Sequence, residues 1–120
     1  MDIITLATLA LSFATPFIVK TGEKIAESIG EDIWNLLKKP FTKKEQEKLE
    51  TDIQNNSETE AIIESIIAKI SSDQQYKTEL ENAIIEAQKT LATYNQQNIN
   101  NYGSIQKQVN IQNVAGNITL

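Results

Sequence analysis

Six side-chain amides stand in the last fifteen residues, QKQVNIQNVAGNITL, beside a single charge, Lys107. An amide brings an acceptor oxygen and two donor hydrogens and does not titrate at neutral pH. Its chemistry is stacking through hydrogen bonds, not bond making or proton transfer. The run VNIQNV, Val109 to Val114, has β-branched residues and no proline, glycine or charge, the composition of a steric zipper. Stacked in register, Asn110, Gln112 and Asn113 would form amide ladders. The aliphatic face would become dry, each fully buried Val or Ile contributing about 1.5–3 kcal/mol. Natural sheet edges carry charged gatekeepers against such pairing, and this tail has only Lys107. Two other readings stay open: a hairpin packed on the rest of the chain, or an unstructured end. Two short strands alone are marginal in water, and Gln112-Asn113 is not the Asn-Gly or Asp-Gly that a tight hairpin prefers.

Other chemistries are thinly supplied. The chain has no histidine, no cysteine and no arginine, so the usual bases, nucleophiles and transition-metal ligands are missing. Sixteen acids remain, and acids on helices are ordinarily a solvated face. There is no glycine-rich phosphate loop. The expectation is a protein that is not an enzyme, with no catalytic residue, metal or cofactor. A net charge of -5 without arginine also argues against nucleic acid as a partner.

The elements that would carry the tail follow from charge and periodicity. A length of 120 residues fits one compact domain with a short appendage. Before Lys20 the only charged side chain is Asp2, and after Lys89 only Lys107. The first weakly charged zone, Ile3 to Val19, is helical in pattern. Thr5, Thr8, Ser12 and Thr15 form a hydroxyl stripe, and Ile3, Ile4, Leu6, Leu9, Leu11, Phe13 and Phe17 surround it. Seventeen residues of helix span about 26 Å, just short of a hydrocarbon core. Those seven apolar residues are a candidate membrane segment; the plainer reading is a buried central helix, and a helix buried at rest can be released later. Pro16 is expected to kink this helix or to start a new one capped by Thr15. A signal peptide would need a basic start, and this chain begins Met-Asp.

The next pattern runs through Ile18, Ile25, Ile29, Ile33 and Leu36, with Gly22 and Gly30 as expected points of close helix approach. Trp34 reads as partly buried at a bundle seam. Pro40 stops this helix. Thr42 with Glu45, Ser57 with Glu60 and Ser72 with Gln75 each form a capping-box pattern ahead of an apolar stripe. The stripes are Leu49 and Ile53; then Ile62, Ile63, Ile66, Ile67 and Ile70; then Tyr76, Leu80, Ile84, Ala87, Leu91 and Tyr94. The fold class expected is all-α, a four- to five-helix bundle over residues 1–94 with a hydrophobic N-terminal helix. Residues 95–101, NQQNINN, read as a polar linker to a β-prone, amyloid-type tail over 102–120. In that tail Ile105, Val109 and Ile111 share one strand face. Val114, Ile118 and Leu120 follow the other parity, so a bend or bulge falls near Gln112-Asn113.

The tail resembles the bacterial amyloid signalling motifs related to the RIP homotypic interaction motif (RHIM). The match is a Gly-x-Ile lead, a Gln-Val-x-Ile core and a Gly-Asn-Ile close. These fall on Gly103, Ile105, Gln108, Val109, Ile111, Gly116, Asn117 and Ile118, with Val114 and Leu120 completing the aliphatic faces. In such proteins the motif follows a helical domain, often called Bell, that is similar to fungal HeLo-type and animal MLKL-type bundles. The resemblance implies a cell-death effector of bacterial immunity. A receptor of the NOD-like (NLR) type with a matching motif would template the effector tails. The effector would rest in the cytoplasm and move to the inner face of the plasma membrane, and its N-terminal helix would permeabilise the lipid. The partners implied are the motif of another copy, the receptor and lipid. A polymerising adaptor without a membrane step, and a small holin-like membrane protein with an incidental tail, are the alternatives.

The zipper pattern generates a direct test. A peptide spanning residues 98–120 should form thioflavin-positive fibrils with a cross-β spacing near 4.7–4.8 Å. A peptide that stays soluble and strand-free at high concentration would remove the amyloid reading.

Overall fold

A computed structural model describes the backbone of residues 1–105 and the side chains of residues 1–95. All five elements are α-helices: α1 (Ile3–Val19), α2 (Lys24–Leu37), α3 (Lys43–Gln54), α4 (Thr59–Ser72) and α5 (Gln74–Ile105). Among the described residues there is no strand, in keeping with the all-α expectation. The chain divides into two compact units, residues 1–85 and 86–120.

In the first unit α1 packs on α2, α3 and α4. Its buried positions are Leu6, Ala7, Ala10, Ala14 and Ile18, an arc of the helix dominated by alanine. Gly30 of α2 comes close to the backbone of α1 beside this arc. A β-carbon on Gly30 would stand 2.8 Å from the Phe13 carbonyl oxygen and 2.9 Å from the Phe17 β-carbon. The expected close approach is therefore real at Gly30. At Gly22 it is not: this residue lies in the α1–α2 turn with φ 93°, the left-handed region that glycine enters without cost. Lys20 is also left-handed, and its N–H returns to the Pro16 carbonyl, closing α1. The long pattern from Ile18 to Leu36 is thus two helices, bent at this turn by 119°.

Pro16 neither kinks off a new helix nor makes Thr15 a cap. It sits inside α1, and the Thr15 hydroxyl donates to the Leu11 carbonyl at 2.7 Å. Proline is tolerable there because only the last turn follows it. The acceptor that Pro16 leaves without its helical donor is the carbonyl of Ser12, an exposed residue.

Of the three capping boxes, one forms. Thr42 accepts from the Glu45 N–H, and Glu45 accepts from the Thr42 N–H at 2.8 Å. At α4 the N-cap is Glu58, left-handed with φ 55°, and it makes no side-chain cap bond. Ser57 is displaced from that role because its N–H is drawn back onto the Asp52 carbonyl at 2.9 Å. At α5 the acceptor is Asp73, whose carboxylate takes the N–H groups of Gln75 and Tyr76. Aspartate one residue beyond Ser72 is as good a cap, and Ser72 instead donates to the Lys69 carbonyl.

The core holds Trp34, Ile33 and Leu37 of α2, Leu49 and Ile53 of α3, and Ile62, Ile66 and Ile70 of α4, together with Tyr76, Leu80 and Ile84 of α5. Trp34 is 1 % exposed, so it is a core residue and not a half-buried seam. Ile63 and Ile67 are half-buried flanks of the α4 stripe. The Tyr76 hydroxyl donates to the Leu37 carbonyl at 2.6 Å, satisfying an orphan acceptor at the end of α2 from 39 residues away. Burial pushes this phenol well above its usual pKa, so it stays a donor throughout the neutral range.

In the second unit α5 continues to Ile105. The stretch 95–101, expected as a linker, is helical. Elongating an existing helix fixes one residue per hydrogen bond and avoids the cost of nucleation, so Asn and Gln suffice to continue it. Gly103 and Ile105 of the tail motif fall in this helix. Gln108, Val109, Ile111, Val114, Gly116, Asn117, Ile118 and Leu120 lie outside the described residues.

Two substitutions test this packing. Gly30→Ala gains about 1 kcal/mol in helix propensity but forces α1 and α2 apart, and overpacking of about 1–3 kcal/mol should win, lowering the thermal midpoint. Tyr76→Phe should cost about 1–2 kcal/mol in denaturant unfolding, because it strands the buried Leu37 carbonyl. An unchanged midpoint in either variant would contradict the geometry described.

Candidate functional site

The candidate site of the described chain is α1. Its seven apolar residues do not share one face. Leu6 is buried; Ile3, Leu9, Leu11, Phe13 and Phe17 are half-buried; Ile4 is 65 % exposed. The solvent face carries Ile4, Thr5, Thr8, Ser12 and Val19, none of them charged. A helix face without a charge can meet an apolar phase without desolvating an ion. Three of the four hydroxyls of α1 have protein partners. Thr8 donates to the Ile4 carbonyl at 2.8 Å, Thr15 to the Leu11 carbonyl, and Thr5 to the Asp2 carboxylate at 2.8 Å. Such donors do not require water, so the polar stripe is milder than its composition suggests.

Asp2 fixes the start of this helix. Its carboxylate also accepts the Thr5 N–H at 2.8 Å. These bonds, the backbone one first, hold the carboxyl below its ordinary pKa. The Met1 ammonium reaches Glu81 of α5 at 2.9 Å and lowers that carboxyl in the same sense. The Asp2 cap was legible as an aspartate three residues before a threonine ahead of an apolar run, a signal the hydropathy pattern overshadowed. The far end of α1 is held by Gln54 of α3, whose amide donates to the Ile18 carbonyl at 3.4 Å.

No single described helix is long and apolar enough to cross a bilayer. The pair α1 and α2 meets that length and composition only together, across the 119° bend.

A groove of about 410 Å³ lies between α3 and α4, lined in part by Phe41, Leu49, Ile62 and Ala68. The Lys48–Asp52 ion pair, 2.8 Å, stands at its rim. No charged side chain among the described residues is fully buried, and no three His, Cys, Asp or Glu side chains gather in a metal-binding cluster. Glu45, Glu58, Ser65 and Lys69 also line the groove. Comparison with protein-family models, with curated proteins and with solved structures gives no match to this chain.

The cap gives α1 a pH signature. A carboxyl lowered in the folded state stabilises above its unfolded pKa, and that contribution is lost as pH falls through the lowered folded value. Asp2→Ala should lower the thermal midpoint at neutral pH and flatten its decline below pH ~4. Asp2→Asn should keep the cap and flatten the same acid limb. A parallel acid limb in all three proteins would show that Asp2 does not secure α1.

Proposed function

We propose that this protein is a cell-death effector of the bacterial amyloid-signalling kind. Templating of its C-terminal motif by an NLR-type receptor would assemble the tails, and α1 would then act on the inner face of the plasma membrane. The observation that carries this reading is the uncharged solvent face of α1, in a chain whose α2, α3 and α4 expose many charges. Three further features support it. The hydroxyls of Thr8 and Thr15 are satisfied within α1; its buried arc is mostly alanine, so undocking forfeits less apolar burial than a leucine arc would; and the tail composition is that of a zipper. The motif from Gln108 onward enters this reading from sequence alone.

A second reading is favoured by one contact. Gly30 locks α1 to α2 through the backbone at Phe13 and Phe17. A helix held so closely suits a polymerising adaptor whose bundle stays intact, with no membrane step.

Thr8→Lys separates the two. Thr8 is exposed and mid-helix, so the bundle should fold with a thermal midpoint close to that of the native chain. A lysine at such depth costs about 2.5–3.5 kcal/mol on insertion scales, so leakage of liposomes by the assembled protein should fall by tenfold or more. Ile111→Lys should abolish fibrils, placing a cation in every layer at a spacing of about 4.8 Å, while the helical signal stays unchanged. A folded, fibril-forming Thr8→Lys protein that leaks liposomes as well as the native chain would falsify the membrane role of α1 and leave the adaptor.

A further inference from the structure

Four lysines, Lys38, Lys39, Lys43 and Lys44, fall within seven residues in which there is no acid. In a chain of net charge -5 this is a local reversal of sign. The segment is the corner between α2 and α3. Lys39, Lys43 and Lys44 are exposed and Lys38 half-buried, and none of the four has a carboxylate within ion-pair distance among the described residues. The fold adds a fifth cation: Lys69 of α4 lies 5.2 Å over the ring of Phe41, the buried residue of the corner. The nearest acid in sequence, Glu45, is turned back onto the Thr42 N–H.

Helix stability does not account for this placement. Lys43 and Lys44 occupy the first turn of α3, where the macrodipole is positive and cations are unfavourable. A corner that merely needed polar residues would be better served by Ser, Asn or Asp. The backbone here is already secured by neutral groups: the Gln46 amide donates to the Lys38 and Phe41 carbonyls, both at 3.0 Å.

The position of the corner relates it to α1. Tyr76 of α5 holds the Leu37 carbonyl at the end of α2, and Glu81 of α5 holds the ammonium of Met1 at the start of α1. Five residues of helix separate these two anchors, about 7.5 Å along the axis. The lysine corner and the leading end of α1 are thus both tied to the first turns of α5.

We infer that the α2–α3 corner is a docking surface for an anionic lipid bilayer. The inference rests on the membrane reading proposed above. Lysine is suited to it: a flexible, point-charge cation attracted by the diffuse negative potential of the surface, whereas planar, bidentate recognition of a single phosphate would favour arginine. Each lysine near such a surface strengthens partitioning by about fivefold.

The test uses the full chain and vesicles of phosphatidylcholine with or without phosphatidylserine, followed by co-sedimentation. The native protein should bind only the anionic vesicles and should release them at high salt. Exchanging Lys38, Lys39, Lys43 and Lys44 for Gln should weaken binding by about two orders of magnitude or more. A control of equal net charge, with Lys20, Lys24, Lys48 and Lys89 exchanged for Gln, should retain it. Equal loss in both variants, undiminished binding in the corner variant, or salt-insensitive binding by the native chain would each overturn the corner as a lipid dock. Tighter binding to double-stranded DNA than to anionic vesicles would overturn lipid as the partner. The salt arm uses the native chain, so the test stands even if a variant does not fold. Binding at the corner without leakage would keep this inference and sink the effector reading. Leakage by the native chain together with undiminished vesicle binding by the corner variant would do the reverse.

Discussion

A backbone contact governs the first unit: α1 lies against Gly30 with the Phe13 carbonyl oxygen 2.8 Å from where a β-carbon would be. Only glycine admits that distance, and several other features follow from it. The contact falls on the backbone and β-carbon of Phe13 and Phe17, while the buried arc of the same helix is Ala7, Ala10 and Ala14 with Leu6 and Ile18. The large apolar residues are turned aside to half-buried flanks. The turn between the helices must then reverse the chain within four residues, and it does so with left-handed backbone at Lys20 and Gly22. Close packing of this kind is governed by shape more than by hydropathy.

That distinction explains what the sequence showed and what it hid. The Thr42–Glu45 box is a local interaction between residues three apart, and it forms as the pattern indicates. The stripes of α3 and α4 follow from periodicity alone. The two serine caps fail because each competes with neighbours that the pattern does not rank: Asp73 beside Ser72, and a left-handed Glu58 after Ser57. Gly22 and Gly30 are the same residue type eight positions apart, one shaping a turn and the other a helix contact, and only the tertiary arrangement separates them. For α1 the hydropathy signal pointed to its large residues, whereas packing selected the small ones. The helical extent of 95–105 was also illegible, since amide-rich sequence continues a helix as readily as it leaves one.

The distribution of charge gives the chain its functional logic. Most of the first unit is acidic and well solvated, α1 exposes no charge, and the cations concentrate at the α2–α3 corner. Under the docking inferred above, an acidic body would be repelled by an anionic surface except where that corner faces it, so orientation would come from field direction and not from a shaped pocket. In the function proposed above, the uncharged C-terminal segment would belong to a different physical regime, in which association is driven by backbone pairing and dry side-chain contact.

Trp34 is the single tryptophan of the chain, and it is buried on the helix that meets α1 through Gly30. Its indole is therefore an intrinsic optical reporter with no second emitter of its kind to blur it. Emission from an apolar, water-free surrounding is blue, and solvent entry shifts it to the red. A rearrangement that opened the core around α2 would change colour, whereas growth of fibrils by the tail alone would leave the spectrum still. The fold thus carries its own label for telling assembly apart from unfolding.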